Sequence, residues 1–239
     1  MEQFKSDFIR FTEKIKSGEN FAYARYADGE VLLMKGNEVG QNTQAFKIDN
    51  WSSPNQLTSV GNELSESLTH TEPNYYYAIS SVSDNISDYK FLMDRIKTKK
   101  ENITFANLWI NSNYQQMKEF YTNLDKECFV ICNHRANVNN FPFKIKKLFP
   151  FPDDCIEFWE SSGSEYLSEI TQEIQGLNNE TFFISAGPIS EIIIHGLYSF
   201  NPHNQYIDVG SSMDEFVHGK KTRPYMEPNS FYSKQISVF

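Results

Sequence analysis

Short apolar runs alternate with amphipathic helical patterns along most of this chain of 239 residues. We predict strands at 21–25, 75–80, 103–106, 129–132, 156–159, 181–185 and 205–209. Apolar residues recur at helical spacing over 2–17, 57–68, 91–96, 114–121, 164–175 and 189–198. Unbroken apolar strands that alternate with helices are typical of a buried, mainly parallel sheet. The pattern therefore predicts one α/β domain over 1–239, with helices on both faces of the sheet.

Four segments depart from this alternation. Residues 31–34 form a short apolar element that ends at Gly36, and 37–55 is a polar, turn-rich loop. Segment 141–149 places lysines between aromatic and aliphatic residues, which favours a partly exposed amphipathic helix; contact with anionic lipid is the alternative. Residues 210–239 show no clear periodicity and are expected to be a lid or a tail.

Composition and charge argue against several classes of protein. Hydrophobic residues make up only 39%, but 20 Phe and 13 Tyr bury large areas and allow a sizeable core. The net charge of −9 argues against broad nucleic-acid binding, which needs basic surfaces. Cys128, Cys132 and Cys155 lack the spacing of a zinc site and are expected to be buried and reduced. With no membrane-length apolar run and no signal-peptide pattern, we expect a cytoplasmic protein that can still contact the inner membrane face.

Polar residues follow nearly every predicted strand. In open α/β sheets, ligands bind at the carboxyl ends of the strands. The segments that we expect to contribute to a site are 25–30, 80–84, 107–113, 133–139, 160–164, 185–190 and 208–214.

Asp28 and Glu30 are separated only by Gly29 and follow the first predicted strand. Mg²⁺ and Mn²⁺ prefer carboxylate oxygens and leave coordination positions for substrate phosphates. We predict that both carboxylates turn toward one such cation, which would neutralise charge on a leaving nucleoside diphosphate. A tight turn with two solvated acids is the alternative, because Asp-Gly is a common turn dipeptide. Arg25 either contacts a phosphate or forms an ion pair with one of these acids.

Segment 182–190 has the pattern of a strand, a glycine turn and a helix. Backbone N–H groups near Ser185 and Gly187 can hold a phosphate or a ribose, aided by the helix dipole. Because Pro188 suits the first turn of a helix, an ordinary connection between strand and helix is the alternative.

Asp208 lies at the carboxyl end of the last predicted strand. Its carboxylate can orient a sugar hydroxyl or act as a base; capping a helix or binding backbone amides is the alternative. The basic run that contains Lys220, Lys221 and Arg223 is expected to close over a diphosphate as a lid, with a solvated tail as the alternative.

The histidines do not follow the patterns of zinc proteases, and no serine-hydrolase elbow is present. His134 follows a predicted strand and is therefore a candidate for substrate binding. His195 lies within an apolar helix and is expected to be structural.

One stretch resembles a known signature. Ala24-Arg25-Tyr26-Ala27-Asp28-Gly29-Glu30 is similar to the Arg-Phe/Tyr-Gly-Asp-Gly-Glu motif of the GT-D-type glycosyltransferases, a bacterial family first catalogued as a domain of unknown function. Ala27 stands where the family has glycine. The resemblance extends, in the same order, to Asn107-Leu108-Trp109-Ile110-Asn111, Ile184-Ser185-Ala186-Gly187-Pro188 and Ile207-Asp208-Val209-Gly210-Ser211.

The resemblance implies a Rossmann-like domain in which Asp28 and Glu30 bind Mn²⁺ or Mg²⁺ and take part in catalysis. It also implies a nucleotide-sugar donor, often UDP-glucose-like, and a glycan, glycolipid or glycoprotein acceptor in surface polysaccharide biosynthesis. Asp208 is our candidate for orienting or deprotonating the acceptor hydroxyl. The substrate-binding residues that we place around this pocket are Arg25, Gly29, Asn111, His134, Ser185, Gly187, Lys221 and Arg223.

We therefore predict a metal-dependent glycosyltransferase that transfers a hexose. Two alternatives remain open. A metal-dependent phosphotransferase or phosphohydrolase on the same fold would release phosphate, and a non-catalytic nucleotide-sugar-binding subunit would bind the donor without turnover.

Overall fold

Parallel strands form the centre of the protein. The computed structural model describes residues 2–36 and 54–239, with side chains described from Ser59 onward in the second range. The strands are β1 Phe21–Tyr26, β2 Tyr75–Ile79, β3 Ile103–Phe105, β4 Glu127–Asn133, β5 Lys144–Phe151, β6 Thr181–Ser185 and β7 Gln205–Asp208. They pair in the order β3-β2-β1-β7-β6-β4-β5, and every pair is parallel. The predicted α/β class with a mainly parallel sheet is confirmed.

Helices cover both faces of this sheet. Their bounds are α1 Glu2–Ser17, α2 Asp28–Met34, α3 Pro54–Glu66, α4 Ile86–Met93, α5 Tyr114–Thr122, α6 Cys155–Glu173, α7 Ser190–Phe200 and α8 Asp214–His218. One core lies beneath α2, α3, α4, α6 and α7, and the other lies beneath α1, α5 and α8. Neighbouring β1 residues point into opposite cores, Ala22 into the first and Tyr23 into the second, as a strand covered on both faces requires.

Aromatic side chains fill much of both cores. Phe11 of α1 packs edge-on against Tyr76 with the ring centroids 4.9 Å apart, and Phe129 stacks on Phe182 at 4.6 Å. Such pairs stabilise beyond the area that they bury. The many Phe and Tyr residues therefore offset the low hydrophobic content.

The strand predicted at 156–159 is wrong, because these residues lie in α6. Cys155, Ile156, Trp159, Tyr166 and Ile170 are buried at helical spacing. A short apolar run does not by itself distinguish a strand from a buried helix. As a consequence, residues 160–164 lie within a helix and not at a strand end.

The helix favoured at 141–149 is also wrong, because Lys144–Phe151 is the edge strand β5. Phe149 and Phe151 are buried, whereas the lysines of the strand are exposed. Lys146 pairs with Glu180 at 2.7 Å, and Pro150 cannot donate a backbone hydrogen bond. Lysines and proline on an edge strand oppose pairing with another sheet.

Two further segments are assigned by the structure. The apolar element at 31–34 is the second half of α2. Residues 37–53 of the predicted loop lie outside the described residues.

The end of the chain packs across the carboxyl ends of β2 and β3, where Ser83 N donates to Val238 O at 3.2 Å and Phe239 stacks on Phe105 at 4.2 Å. No helix in the described part of the chain is long and apolar enough to cross a membrane.

Candidate active-site crevice

The central strands β1 and β7 separate near their carboxyl ends. Their pairing ends at Tyr23 and Ile207, whereas β1 continues to pair with β2 as far as Tyr26. The backbone N–H of Arg25 donates instead to Oε1 of Glu191, at 3.2 Å. A gap between central strands at the carboxyl edge is where open α/β sheets bind ligands. We call the space around Arg25, Glu191 and the end of β7 the crevice.

Arg25 is held in the crevice by one side of its guanidinium. Its Nε donates to Oδ2 of Asp208 at 3.3 Å, and its side chain is 22% exposed. Within residues 2–36 and 54–239, neither terminal nitrogen of Arg25 has a hydrogen-bond partner. In the described part of the chain, Arg25 therefore forms its ion pair with Asp208, and its two terminal NH₂ groups are left for a ligand.

Three acidic side chains surround this cation. Asp208 is 1% exposed, Glu30 5% and Glu191 0%. Burial raises the pKa of Glu30, although Arg25 and the Ala27 amide lower it in part. Burial also raises the pKa of Glu191 well above its ordinary value, and the charges of Asp208 and Glu30 add to this effect. Burial by itself lowers the pKa of Arg25, but the surrounding carboxylates outweigh it and raise that pKa.

Asp208 is engaged on every side that the structure describes. Oδ1 accepts from Gly210 N at 2.6 Å, and the carbonyl oxygen accepts from Trp109 Nε1 at 3.0 Å. Asp208 therefore binds a backbone amide, which is the alternative role that the sequence left open for it. In this arrangement Asp208 anchors Arg25, and its catalytic role stays a prediction.

The Trp109 contact also ties the segment after β3 to the end of β7. Asn111 follows in that segment, 8% exposed and with φ of +55°. Asn111 therefore lies on a loop that contacts the crevice, although its own role in binding stays a prediction.

Asp28 and Glu30 begin α2, and their carboxylates do not converge. Glu30 turns back so that Oε2 accepts from Ala27 N at 2.7 Å, whereas Asp28 is exposed. Residues two apart on a helix lie about 200° apart around its axis, and the half-buried Gly29 lies between them. Among the described residues, no three His, Cys, Asp or Glu side chains are grouped as metal ligands.

A hard cation is still compatible with this donor set. Mg²⁺ bound with substrate phosphates commonly uses only one or two protein carboxylates. Asp28 presents such a carboxylate at the surface, beside the strand end that carries Arg25. The metal assignment stays a prediction, with Asp28 as the exposed ligand.

The turn after β6 satisfies part of its own backbone. Ser190 Oγ accepts from Ala186 N at 3.0 Å, and Gly187 has φ of +60°. Ser185 ends β6 directly beside β7, because Ile184 pairs with Asp208. These contacts are those of an ordinary strand-to-helix connection, and they also place Ser185 and Gly187 next to the crevice.

The structure places Lys221 and Arg223, two residues of the predicted basic lid, in different surroundings. Lys221 is exposed and pairs with Glu227 at 3.1 Å. Arg223 lies 3.5 Å from Asp214 Oδ2. Burial raises the pKa of Tyr225, and the charges of Arg223 and Arg25 oppose this rise. The hydroxyl of Tyr225, two residues after Arg223, donates to Ser211 Oγ at 2.8 Å in the segment that follows β7, which places Arg223 near the carboxyl end of β7.

The two histidines differ in their surroundings. His134 is exposed at the end of β4, which β6 separates from β7. His195 Nδ1 lies 2.8 Å from His70 Nε2. His195 is therefore part of a hydrogen-bonded pair away from the crevice.

The sequence patterns did not indicate Glu191 or the contacts of Trp109, Gly210 and Tyr225. One signal was available, because Glu191 is an acid at the start of the very apolar segment 189–194, directly after a strand end. Charged residues in such positions are rarely buried without a partner.

Two cavities lie away from the crevice. One of about 590 Å³ lies between α3, α6 and α7 and is lined by Glu63, Trp159 and His195 among others. Another of about 550 Å³ lies near His70 and Tyr198. Neither is lined by Arg25 or Asp208, so the crevice is identified by its strand-end position and its charges.

Comparison with known proteins supports the fold. No family model matches the chain, and no curated protein matches it. A selenomethionine-substituted structure of domain of unknown function 1792 aligns with a TM-score of 0.58 and 14% identity, over 89% of this chain and 80% of that chain. A second structure of this domain, described as having a distinct glycosyltransferase fold, aligns with a TM-score of 0.57 and 14% identity, over 97% and 90%. The chain therefore has the α/β glycosyltransferase-like fold of domain of unknown function 1792, as its sequence resemblance to the GT-D type predicts.

Proposed function

We propose that this protein is a glycosyltransferase that takes a sugar from a nucleoside-diphosphate donor, UDP-glucose-like, and transfers it to a glycan, glycolipid or glycoprotein. The observation that carries the proposal is the Arg25 guanidinium at the gap between β1 and β7, held by Asp208 and with terminal nitrogens that pair with none of the described residues. The glycosyltransferase-like fold gives this anion site its context. Surface polysaccharide biosynthesis at the inner membrane face is the setting that we propose.

Arg25 is suited to a diphosphate. A guanidinium binds phosphate oxygens through two parallel N–H donors, and burial strengthens this interaction. Arg223, near the carboxyl end of β7, supplies a second positive charge. The two cations would stabilise the negative charge that develops on the leaving diphosphate.

Metal dependence and the catalytic residues are part of the proposal. Asp28, with Glu30 behind it, would hold Mn²⁺ or Mg²⁺ together with the donor phosphates. Such a cation supplies further neutralisation of the leaving group. Glu30 also caps α2 through the Ala27 amide, which keeps Asp28 at the start of the helix.

A panel of sugar nucleotides tests the function. The purified protein is incubated with Mn²⁺ and each donor, with and without acceptor lysate, and released nucleoside diphosphate is measured. Arg25→Gln should reduce the release by about 100-fold or more, because charge-assisted hydrogen bonds to the leaving group are lost. Arg95→Gln, at an exposed position just after the end of α4, is the matched control and should retain activity.

The product separates the alternatives. Release of inorganic phosphate would indicate a phosphohydrolase, and donor binding without turnover would indicate a binding subunit. Undiminished release by Arg25→Gln would contradict the proposed anion site, and undiminished release by Asp28→Ala would contradict the metal assignment.

A further inference from the structure

Glu191 closes the base of the crevice from the first turn of α7. It is completely buried, and its Oε1 accepts the backbone N–H of Arg25 at 3.2 Å. This N–H lies beyond the last pair of β1 with β7, so strand pairing with β7 does not satisfy it. A side chain 166 residues away in sequence thus holds the backbone of Arg25 where the sheet divides.

The second oxygen of Glu191 has no hydrogen-bond donor among the described residues, although it is fully buried. Glu191 and Asp208 both contact Arg25, because Oε1 of Glu191 accepts from its backbone N–H at 3.2 Å and Oδ2 of Asp208 accepts from its Nε at 3.3 Å, so two buried carboxyls lie around one residue. Two ionised carboxylates repel each other and cannot form a hydrogen bond, because neither has a proton to donate. Two adjacent carboxyls in a buried site therefore share one proton.

Resting on the proposed function, we propose that Glu191 is a positioning residue: it carries a proton, donates it in a hydrogen bond to Asp208, and thereby holds the Arg25–Asp208 pair beneath the donor diphosphate. The proton also changes the charge of the site. With Glu191 neutral, Arg25 faces one ionised carboxylate fewer, so more of its positive charge is left for the diphosphate.

The surrounding groups agree with a neutral Glu191. Arg25 of β1, Asp208 of β7 and Glu30 of α2 face it with charge, and Tyr26 and Tyr75 lie near it on β1 and β2. Burial raises the pKa of both tyrosines, so they stay neutral and bring no charge. Two carboxylates against one guanidinium already leave an excess negative charge, and a third would increase the cost of burial.

Infrared spectroscopy tests the protonation without any substrate. The difference spectrum between the full-length wild-type protein and Glu191→Gln at neutral pH should contain the carbonyl band of one protonated carboxyl. Glu169→Gln, at an exposed position of α6, is the matched control and should remove a carboxylate band. Loss of only a carboxylate band in Glu191→Gln would overturn the proposal.

Binding of UDP, measured by calorimetry, tests the positioning. Glu191→Gln keeps a donor for Asp208 and an acceptor for Arg25 N, so its Kd should match that of the wild type. Glu191→Leu removes both hydrogen bonds and should weaken binding about tenfold. As the pH rises through the pKa of Glu191, which burial raises well above its ordinary value, the wild type should lose affinity while Glu191→Gln does not, because only the wild type can ionise at this position.

The outcomes are distinct. A Glu191→Leu protein that binds UDP like the wild type, or a Glu191→Gln protein that binds as poorly as Glu191→Leu, would overturn the positioning role. If Glu191→Leu does not fold, the pH comparison of wild type with Glu191→Gln decides. If the wild type does not bind UDP or any sugar nucleotide, the proposed function fails, and the infrared measurement still decides whether Glu191 carries the proton.

Discussion

Gly210 and Arg25 approach each other more closely than a larger residue at position 210 would allow. A Cβ on Gly210 would lie 3.0 Å from Arg25 Nε and 3.2 Å from the guanidinium carbon. The φ of Gly210 is +48°, a conformation that side chains other than glycine rarely adopt. The backbone N–H of Gly210 donates to Oδ1 of Asp208 at 2.6 Å, so the turn at Gly210 and the Arg25–Asp208 ion pair depend on each other.

Gly210→Ala should therefore damage both stability and ligand binding. The strained φ should cost about 1 kcal/mol of unfolding free energy, and displacement of Arg25 should weaken UDP binding. Gly176→Ala is a matched control, because Gly176 has φ of +80° but no atom within 4 Å of the added Cβ. Denaturant unfolding and calorimetry measure the two effects. Equal UDP affinities in the two variants would contradict the role given to the contact.

Single residues of the site were predictable only in part. Arg25 and Asp208 lie at the carboxyl ends of apolar strands, and this position suggests binding from sequence alone. Their pairing was not predictable, because they lie 183 residues apart. The predicted partners of Arg25 were the neighbouring acids, whereas Glu30 instead caps its own helix.

Among the elements, α2 is placed by a close contact with α3. A Cβ on Gly61 would lie 2.5 Å from the carbonyl oxygen of Leu33, which is backbone and cannot rotate away. Because α2 begins at Asp28, a shift of α2 would move the start of the proposed metal and phosphate site. Gly61 therefore couples helix packing to the crevice.

Gly61→Ala tests this coupling. Overpacking should cost about 1–3 kcal/mol, more than the roughly 1 kcal/mol that alanine gains in helix propensity. We expect a lower unfolding midpoint and weaker UDP binding. Gly163→Ala is the comparison, because its Cβ would lie 2.6 Å from the Trp159 ring in α6, away from the crevice. Unchanged UDP affinity in folded Gly61→Ala would argue against the coupling.

The two incorrect predictions of secondary structure, at 156–159 and 141–149, have physical explanations. In α6 a short apolar run was taken for a strand, although burial continues at helical spacing to Ile170. In β5 the lysines suggested an amphipathic helix, but at an edge strand one side of the backbone is unpaired and charged residues are tolerated there. Local patterns do not report whether a segment lies at the edge or in the centre of a sheet.

For the whole molecule, the buried acids make stability depend on pH. The pKa values of Glu191 and Glu30 are raised in the folded protein, chiefly by burial, so the folded state binds their protons more tightly than the unfolded state. This stabilisation is complete below about pH 4.5, the ordinary pKa of a glutamate. It is lost as the pH rises through the folded-state pKa values.

Comparison of the wild type with Glu191→Gln measures this contribution. The difference in unfolding free energy should change with pH above about 4.5, with the wild type losing stability relative to the variant. Each unit by which the pKa is raised corresponds to about 1.4 kcal/mol. Lys118 and Tyr114 lower the pKa of Glu215 despite its partial burial, so Glu215 changes stability with pH in the opposite direction. This contribution is the same in the wild type and in Glu191→Gln, and it therefore cancels from the difference in unfolding free energy. Parallel pH profiles would show that the pKa of Glu191 is the same in the folded and unfolded protein, and would contradict the raised pKa.

The sequence by itself determined the fold class, six of the seven strands described and the polar strand ends, because these follow from apolar periodicity within short segments. It also carried the resemblance that the structural comparison confirms for the fold. Only the tertiary structure decided the strand order, the edge position of β5 and the buried cluster around Arg25. Those features join residues such as Glu191 and Asp208 to a strand near the start of the chain, and no local pattern encodes contacts over such separations.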